Sequence, residues 1–236
     1  MHSAVKKRTT FDSSLFDAWS RELAYLVGAT ITDGCVISAD YEYYGRIFRN
    51  RHVSWQVVDL DWLETLKRIT SATRSLRVCR RKHGTYYLLR IQGQEIVDAF
   101  ARYGVLPRKT MATRVPTGLP DEFFYHFLRG VIDGDGCIIV RNGGRFNRVG
   151  YQRLEVSIAS GNEQFLLDIQ AVTGGKIRYC SKPGHAAYKL EFDCGKAVAL
   201  LRKVYADSDL LRLERKYRKW AGLDATGAEQ YLRVAA

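Results

Sequence analysis

The chain has 236 residues, 46% of them hydrophobic and 26% charged, which suits one large globular domain or two of about 100 residues and excludes a disordered chain. Lysine and arginine number 37 against 25 aspartates and glutamates, a formal charge of +12 and a pI near 9.6. Spread along the whole chain, that excess points to a polyanion, nucleic acid ahead of a membrane surface, with ordinary solubility charge as the alternative. No apolar run reaches the roughly 18 residues of a membrane span, no apolar core follows the basic start Met1 to Arg8, and the five cysteines (Cys35, Cys79, Cys137, Cys180, Cys194) form no Cys-x-x-Cys pair. A disulfide framework and a zinc site are therefore not indicated, and the expected setting is intracellular: cytoplasm, nucleoid or an organelle matrix.

Apolar residues recur at helical spacing from Ser14 to Thr32 (Leu15, Phe16, Trp19, Leu23, Leu26, Val27), with Asp12 and Ser13 as caps, and predict one helix ending at Asp33-Gly34. Two strands follow, Cys35 to Ala39 and Phe48 to Val58, joined across a tyrosine-rich loop containing Gly45. In the second, Val53, Trp55 and Val57 alternate with His52, Ser54 and Gln56, so one face is apolar. A helix from Asp61 to Thr70 presents Trp62, Leu63, Leu66 and Ile69. A hairpin, Leu76 to Arg81 and Thr85 to Ile91, turns at Lys82-His83-Gly84, and a helix from Gln94 to Tyr103 completes the order αββαββα.

Residues 105–120 read as a linker between units 1–104 and 121–236, since Pro107, Pro116 and Pro120 crowd into it. The pattern then restarts. A helix from Asp121 to Asp133 carries Asp121 and Glu122 in its first turn. Strands Gly136 to Arg141 and Tyr151 to Ile158 flank a Gly143-Gly144 loop, a helix spans Glu163 to Val172, and strands Lys176 to Lys182 and Ala187 to Phe192 turn at Pro183-Gly184. Helices follow over Gly195 to Tyr205 and Asp209 to Trp220. The fold class predicted is α+β, with two pseudo-twofold-related αββαββα half-domains.

Each unit opens with a matched stretch: Tyr25-Leu26-Val27-Gly28-Ala29-Thr30-Ile31-Thr32-Asp33-Gly34 and Phe127-Leu128-Arg129-Gly130-Val131-Ile132-Asp133-Gly134-Asp135-Gly136. Gly28 and Thr32 are four apart, as are Gly130 and Gly134, giving each helix a stripe of small residues that lets two backbones approach closely. Packed as a pair, the helices would bring Asp33 and Asp135 together at their C-terminal ends. There the helix dipole is negative and a pair of carboxylates demands cations. Carboxylates beside helix carbonyls such as those of Thr32 and Gly134 suit Mg²⁺, which keeps waters and completes its shell with phosphate. An EF-hand is excluded by spacing, because counting Asp133 as position one puts Gly144 at position twelve. Gly134-Asp135-Gly136 lacks the third glycine of a dinucleotide fingerprint.

Both stretches resemble the LAGLIDADG motif of homing endonucleases, and two copies in one chain resemble the monomeric, two-motif form; the resemblance covers nearly all of the chain. It implies motif helices at the interface of the half-domains and antiparallel sheets forming a saddle over a long double-stranded DNA site. It also implies divalent metal held by Asp33 and Asp135, with the Thr32 and Gly134 carbonyls as further ligands, and cleavage of both strands to leave 3′ overhangs. Mg²⁺ is the expected cofactor, with Mn²⁺ or Ca²⁺ compatible with the same sites. Ile31 stands where the second copy has Asp133; that earlier acid is not the family's ligand, and Asp133 is expected to be structural. Lys109 and Lys216, after the last helix of each repeat, match the basic residues that many members place near the metals; an ordinary phosphate contact or a solvated lysine is the alternative for each.

Strand alternation assigns a DNA face of Arg51, Gln56, Arg77, Arg81 and Arg90 in the first half. In the second half it assigns Arg141, Arg153, Glu155, Lys176, Arg178, Lys182 and Lys189, opposite inward Leu154, Val156, Ile177, Leu190 and Phe192. Cys35 and Cys137 are expected to be small buried residues rather than nucleophiles, and the five histidines lack ligand spacing. The reading is a site-specific DNA endonuclease, free-standing or intron-encoded. The alternative is a non-cleaving nucleic-acid binder on the same scaffold, an intron RNA maturase or a DNA-binding regulator.

Overall fold

The computed structural model describes residues 10–82, 84–108, 112–142, 152–182, 185–209 and 211–224. Asp12 accepts the Ser14 N–H at 3.0 Å and opens a short 3-10 helix, Ser13–Phe16; the chain restarts at Ser20, whose Oγ accepts the Leu23 N–H at 3.1 Å and opens α1 (Arg21–Asp33). The single helix expected from Ser14 is thus broken. Phe16 is buried with its ring 5.1 Å from that of Phe100, Trp19 packs on Tyr103 at 4.7 Å, and Ser20 satisfies a first-turn donor with its side chain instead of continuing the helix.

From α1 the chain passes directly into β1 (Gly34–Tyr43) and β2 (Arg46–Val57). The stretch expected to be a tyrosine-rich loop is strand. Tyr44 and Gly45 have φ of +50° and +69°, the two left-handed residues of a two-residue hairpin turn, so pairing continues out to Tyr43 opposite Arg46. The rest of the first half is α2 (Leu60–Ile69), β3 (Arg77–Arg81), β4 (Gly84–Gln92) and α3 (Gln94–Ala101).

The second half repeats the order with α4 (Phe124–Asp135), β5 (Gly136–Asn142), β6 (Gln152–Ser160), α5 (Glu163–Thr173), β7 (Lys176–Lys182), β8 (His185–Asp193) and α6 (Cys194–Tyr205), and adds α7 (Glu214–Asp224). Two boundaries differ from expectation. Asp121 and Glu122 lie in a separate 3-10 turn, Asp121–Phe123, and α4 runs on through Gly134 to Asp135. The last helix begins at Glu214, not Asp209, because Leu211 and Leu213 are drawn into the core and the Leu213 N–H donates to the Asp133 carboxylate at 2.8 Å. Of the turn expected at Lys82-His83-Gly84 only His83 lies outside the described residues, and Gly84 opens β4; the turns expected at Gly143-Gly144 and Pro183-Gly184 lie outside them entirely.

Both sheets are four-stranded and antiparallel, in the orders β1-β2-β4-β3 and β5-β6-β8-β7. The fold is α+β and duplicated. One face of each sheet is apolar and covered by helices: Val36, Val53, Trp55, Leu89 and Ile91 in the first, Ile138, Leu154, Val156, Ile158, Leu190 and Phe192 in the second. Each such side chain contributes about 1.5–3 kcal/mol by leaving water. Residues ahead of α4 are tied to the second half, where Arg114 grips Asp168 at 2.6 and 2.9 Å and the Asn162 side chain donates to the Thr113 carbonyl at 2.7 Å. The faces left open are those turned away from the helices.

Candidate metal and nucleic-acid site

The two half-domains meet along α1 and α4 with backbone against backbone. A Cβ on Gly28 would collide with the Phe127 carbonyl oxygen, and one on Gly130 would collide with that of Tyr25 and lie 2.7 Å from the Ala29 nitrogen. The stripe of small residues is therefore required at these positions by contact, not by turn geometry. At the C-terminal ends the approach persists: Gly134 faces Thr32, and a Cβ on Gly134 would lie 2.5 Å from the Cβ of Thr32. Asp33 and Asp135, one residue further along each helix, are both exposed at this end of the pair. The hydroxyl of Thr32 turns back to the Ala29 and Gly28 carbonyls at 3.1 and 3.2 Å.

Beneath these carboxylates lies a buried polar network. Asp133 is 1% exposed; it accepts from the Tyr25 hydroxyl at 2.8 Å, the Tyr205 hydroxyl at 3.2 Å and the Leu213 N–H at 2.8 Å. Burial pushes its pKa up to about 6, against the opposing pull of the Tyr25 hydroxyl, the Leu213 N–H, Lys216 and Arg129. The Tyr25 hydroxyl also accepts from Trp62 Nε1 at 2.7 Å, so the network crosses from one half-domain to the other. Buried Arg129 donates to the Val204 carbonyl at 2.7 Å and lies 5.6 Å from the Tyr25 ring centroid.

Lys216 occupies the C-terminus of α4. Its Nζ donates to the carbonyls of Ile132, Asp133 and Gly134 at 2.8, 2.7 and 2.9 Å, using all three of its donors on the last turn of the helix. It is 5% exposed, and burial lowers its pKa, while Asp133, Asp33 and Asp135 raise it. Of the two alternatives to a role beside the aspartates, a solvated lysine is excluded by this burial. Lys109 lies outside the described residues, but Leu106, Pro107 and Arg108 just before it line a cleft with Thr32, Gly34 and Cys35 at the end of α1.

Strand register fixes the open faces. In the first sheet Gln56 lies opposite Leu88, which pairs with Arg77; Arg90 lies opposite Ser54, and Arg81 opposite Gly84. All are on the side away from Val53, Trp55 and Val57. Arg51 is a correction: it has the parity of Val53 and turns to the helix side. There it ion-pairs with Asp40 at 2.6 Å and donates to Gln94 Oε1 and the Ala39 carbonyl at 2.8 and 2.6 Å. Arg51 lies in the middle of β2, two residues from Val53, and so shares the face of Val53 and Trp55.

In the second sheet Arg141, Arg153, Glu155, Lys176, Arg178 and Lys189 share the open face, and Lys182 pairs with His185 at the end of β7. Here the arginines are held by acids. Glu155 meets Arg153 at 3.0 Å and Arg141 at 3.5 Å, Asp193 meets Arg153 at 3.2 Å, and Glu191 meets Arg178 at 2.6 Å. By contrast, the acids of the first sheet, Asp40 and Glu42, have the parity of Val36 and so the opposite face. The prediction that Cys35 and Cys137 are buried is also corrected: both are exposed, because the residue after the inward Gly34 or Gly136 points to the open face. What sequence reasoning missed is the Tyr25, Arg129 and Tyr205 network, signalled only by the mismatch of Asp133 with Ile31, and the open-face positions of Arg46 and Gln92.

A chain of two such half-domains, sheets flanking a close helix pair, has the fold of the LAGLIDADG homing endonucleases in their two-motif form. The homing endonuclease I-LtrWI bound to target DNA superposes with a TM-score of 0.63 at 10% identity over 90% of this chain and 92% of that one. I-GzeII in complex with its DNA target gives 0.60 at 11% identity over 91% and 96%, and I-SmaMI bound to cleaved DNA gives 0.59 at 12% identity over 97% of each chain. No family model and no curated protein matches the sequence itself.

Proposed function

We propose that this chain is a site-specific endonuclease that binds double-stranded DNA across the open faces of its two sheets and hydrolyses one phosphodiester in each strand. The observation that carries the reading is the backbone contact of α1 and α4, which brings one exposed carboxylate from each half-domain to a single end of the helix pair, Asp33 and Asp135, between two arginine-bearing sheet faces. The reading is supported by the neighbours of the same fold, which were crystallised on DNA, one of them on cleaved DNA.

The donor set fits a hard divalent cation such as Mg²⁺, with Mn²⁺ and Ca²⁺ as substitutes: two carboxylates, the Thr32 carbonyl, and the Gly134 carbonyl, which already accepts from Lys216 and has one lone pair remaining. When bound, such an ion supplies charge stabilisation for the phosphate under attack. The protein's own part is to hold Asp33 and Asp135 at fixed spacing and to neutralise the negative end of α4 with Lys216, so that a polyanion approaches without facing bare carbonyls. Working as a monomer and leaving 3′ overhangs complete the proposal. Incubating the full chain with a randomised duplex library in Mg²⁺ tests it: fragments cut at one recurring sequence in both strands are expected, and recovery of bound but intact duplexes would favour the non-cleaving binder.

A further inference from the structure

The β1–β2 hairpin is the longest projection of the first sheet, and its open face changes character toward the tip. Tyr41 lies opposite Phe48 with rings stacked at 5.5 Å and 14°, Tyr43 crosses Phe48 at 6.5 Å, and Arg46 lies opposite Tyr43. These rings are 54%, 41% and 60% exposed for Tyr41, Phe48 and Tyr43, an unusual amount of aromatic surface to leave in water. Parity places them on the same face as Gln56, Arg77, Arg81 and Arg90, the face proposed above to meet DNA.

A partner for a face that carries Arg77, Arg81 and Arg90 and, at the hairpin tip, exposed rings beside Arg46 must be anionic and must offer small apolar groups as well. The major groove of duplex DNA does, through the 5-methyl groups of thymine, which aromatic and aliphatic side chains contact at base edges. Stacking on unpaired bases is the weaker fit, because a sheet seated in the groove presents edges to a paired duplex. A second copy of the chain is disfavoured by the size of the patch, a few side chains where a stable interface buries about 800 Å² on each partner. Tyr41 is seven residues along β1 from Gly34, roughly 23 Å at a strand rise of about 3.3 Å. At about 3.4 Å per base pair that reaches roughly seven base pairs from the centre of the site. In the second half, the strand positions leading outward carry the Arg141–Glu155–Arg153 ion-pair cluster instead.

We propose that Tyr41, Tyr43 and Phe48 form a thymine-reading surface that recognises 5-methyl groups in the outer part of one half-site. The inference rests on the DNA-binding reading. The test begins with the site recovered by in-vitro selection. Affinity is then measured by fluorescence anisotropy for duplexes in which deoxyuridine replaces thymine at each outer position of either half-site, with the wild-type chain and with Tyr41→Ser plus Phe48→Ser. For the wild type, loss of a contacted methyl is expected to weaken binding about fourfold per thymine at one half-site only, the worth of one buried methylene. The variant should lose that sensitivity while binding the inner positions unchanged. Equal deoxyuridine sensitivity in both proteins, or none in either, would overturn the hairpin assignment while leaving DNA binding intact. A wild-type dimer in sedimentation that the variant converts to monomer would overturn it in favour of self-association. Failure to select any DNA site would instead sink the reading beneath it.

Discussion

Asp133 and Lys216 are neighbours in space with opposite burdens. Asp133 is a buried carboxylate whose oxygens receive three donors, so Asp133→Asn forces an amide nitrogen or a lone oxygen to serve them. A buried donor left unmet costs about 1–3 kcal/mol, and urea denaturation should register a loss of that size or more. The motif copies announce the difference, Asp133 against Ile31, but Tyr25 and Tyr205 are more than seventy residues away in sequence, so no local pattern reveals what the acid is for. Lys216 was legible only as a basic residue after the last helix of the repeat. Its burial means that Lys216→Met should lower stability by about 1–3 kcal/mol through the uncapped carbonyls and, by baring the negative end of α4, weaken DNA binding along with it. A large loss of affinity with unchanged stability would assign it to a phosphate contact instead.

At the scale of elements, the helix pair was the most legible part of the fold because its signal is steric and local: glycine at matched places in two apolar stretches. Gly28→Ala and Gly130→Ala each drive a methyl into the opposite backbone. Overpacking of this kind costs about 1–3 kcal/mol or more, and because the helices must part, cleavage should fall further than stability alone explains. Gly222 in α7 is the internal control: a Cβ there meets no atom within 4 Å, so Gly222→Ala should raise stability by about 0.5–1 kcal/mol. Equal behaviour of the three variants in thermal melts would contradict the interface. The helices that sequence misplaced, at Ser14 and at Asp209, are those whose limits are set by Ser20 capping Leu23 and by Leu213 reaching Asp133. The first is a choice between two available caps, the second a tertiary bond that spacing does not encode.

Across the whole molecule, the two sheets share topology but not electrostatics. On the open face of the second, Glu155, Glu191 and Asp193 already engage arginines. Exposed ion pairs of this type contribute little to stability, about 0–1 kcal/mol, but they fix the arginines and offset their charge. Arg77→Ala or Arg81→Ala in the first sheet should therefore lower the slope of log affinity against log salt by about 1 each, whereas Arg153→Ala, with two acids beside it, should change the slope less. The pleat made these faces legible, all but Arg51, whose parity puts it with Val53 and Asp40. Cleavage of both strands as proposed requires Asp33 and Asp135 to act as one site between the sheets. The most direct measurement is Mg²⁺-dependent linearisation of a plasmid carrying the selected target, run beside a binding titration, for the wild type and for Asp33→Asn plus Asp135→Asn. Linearisation by the wild type and tight binding without cleavage by the double variant are predicted; cleavage that survives both substitutions would contradict the site.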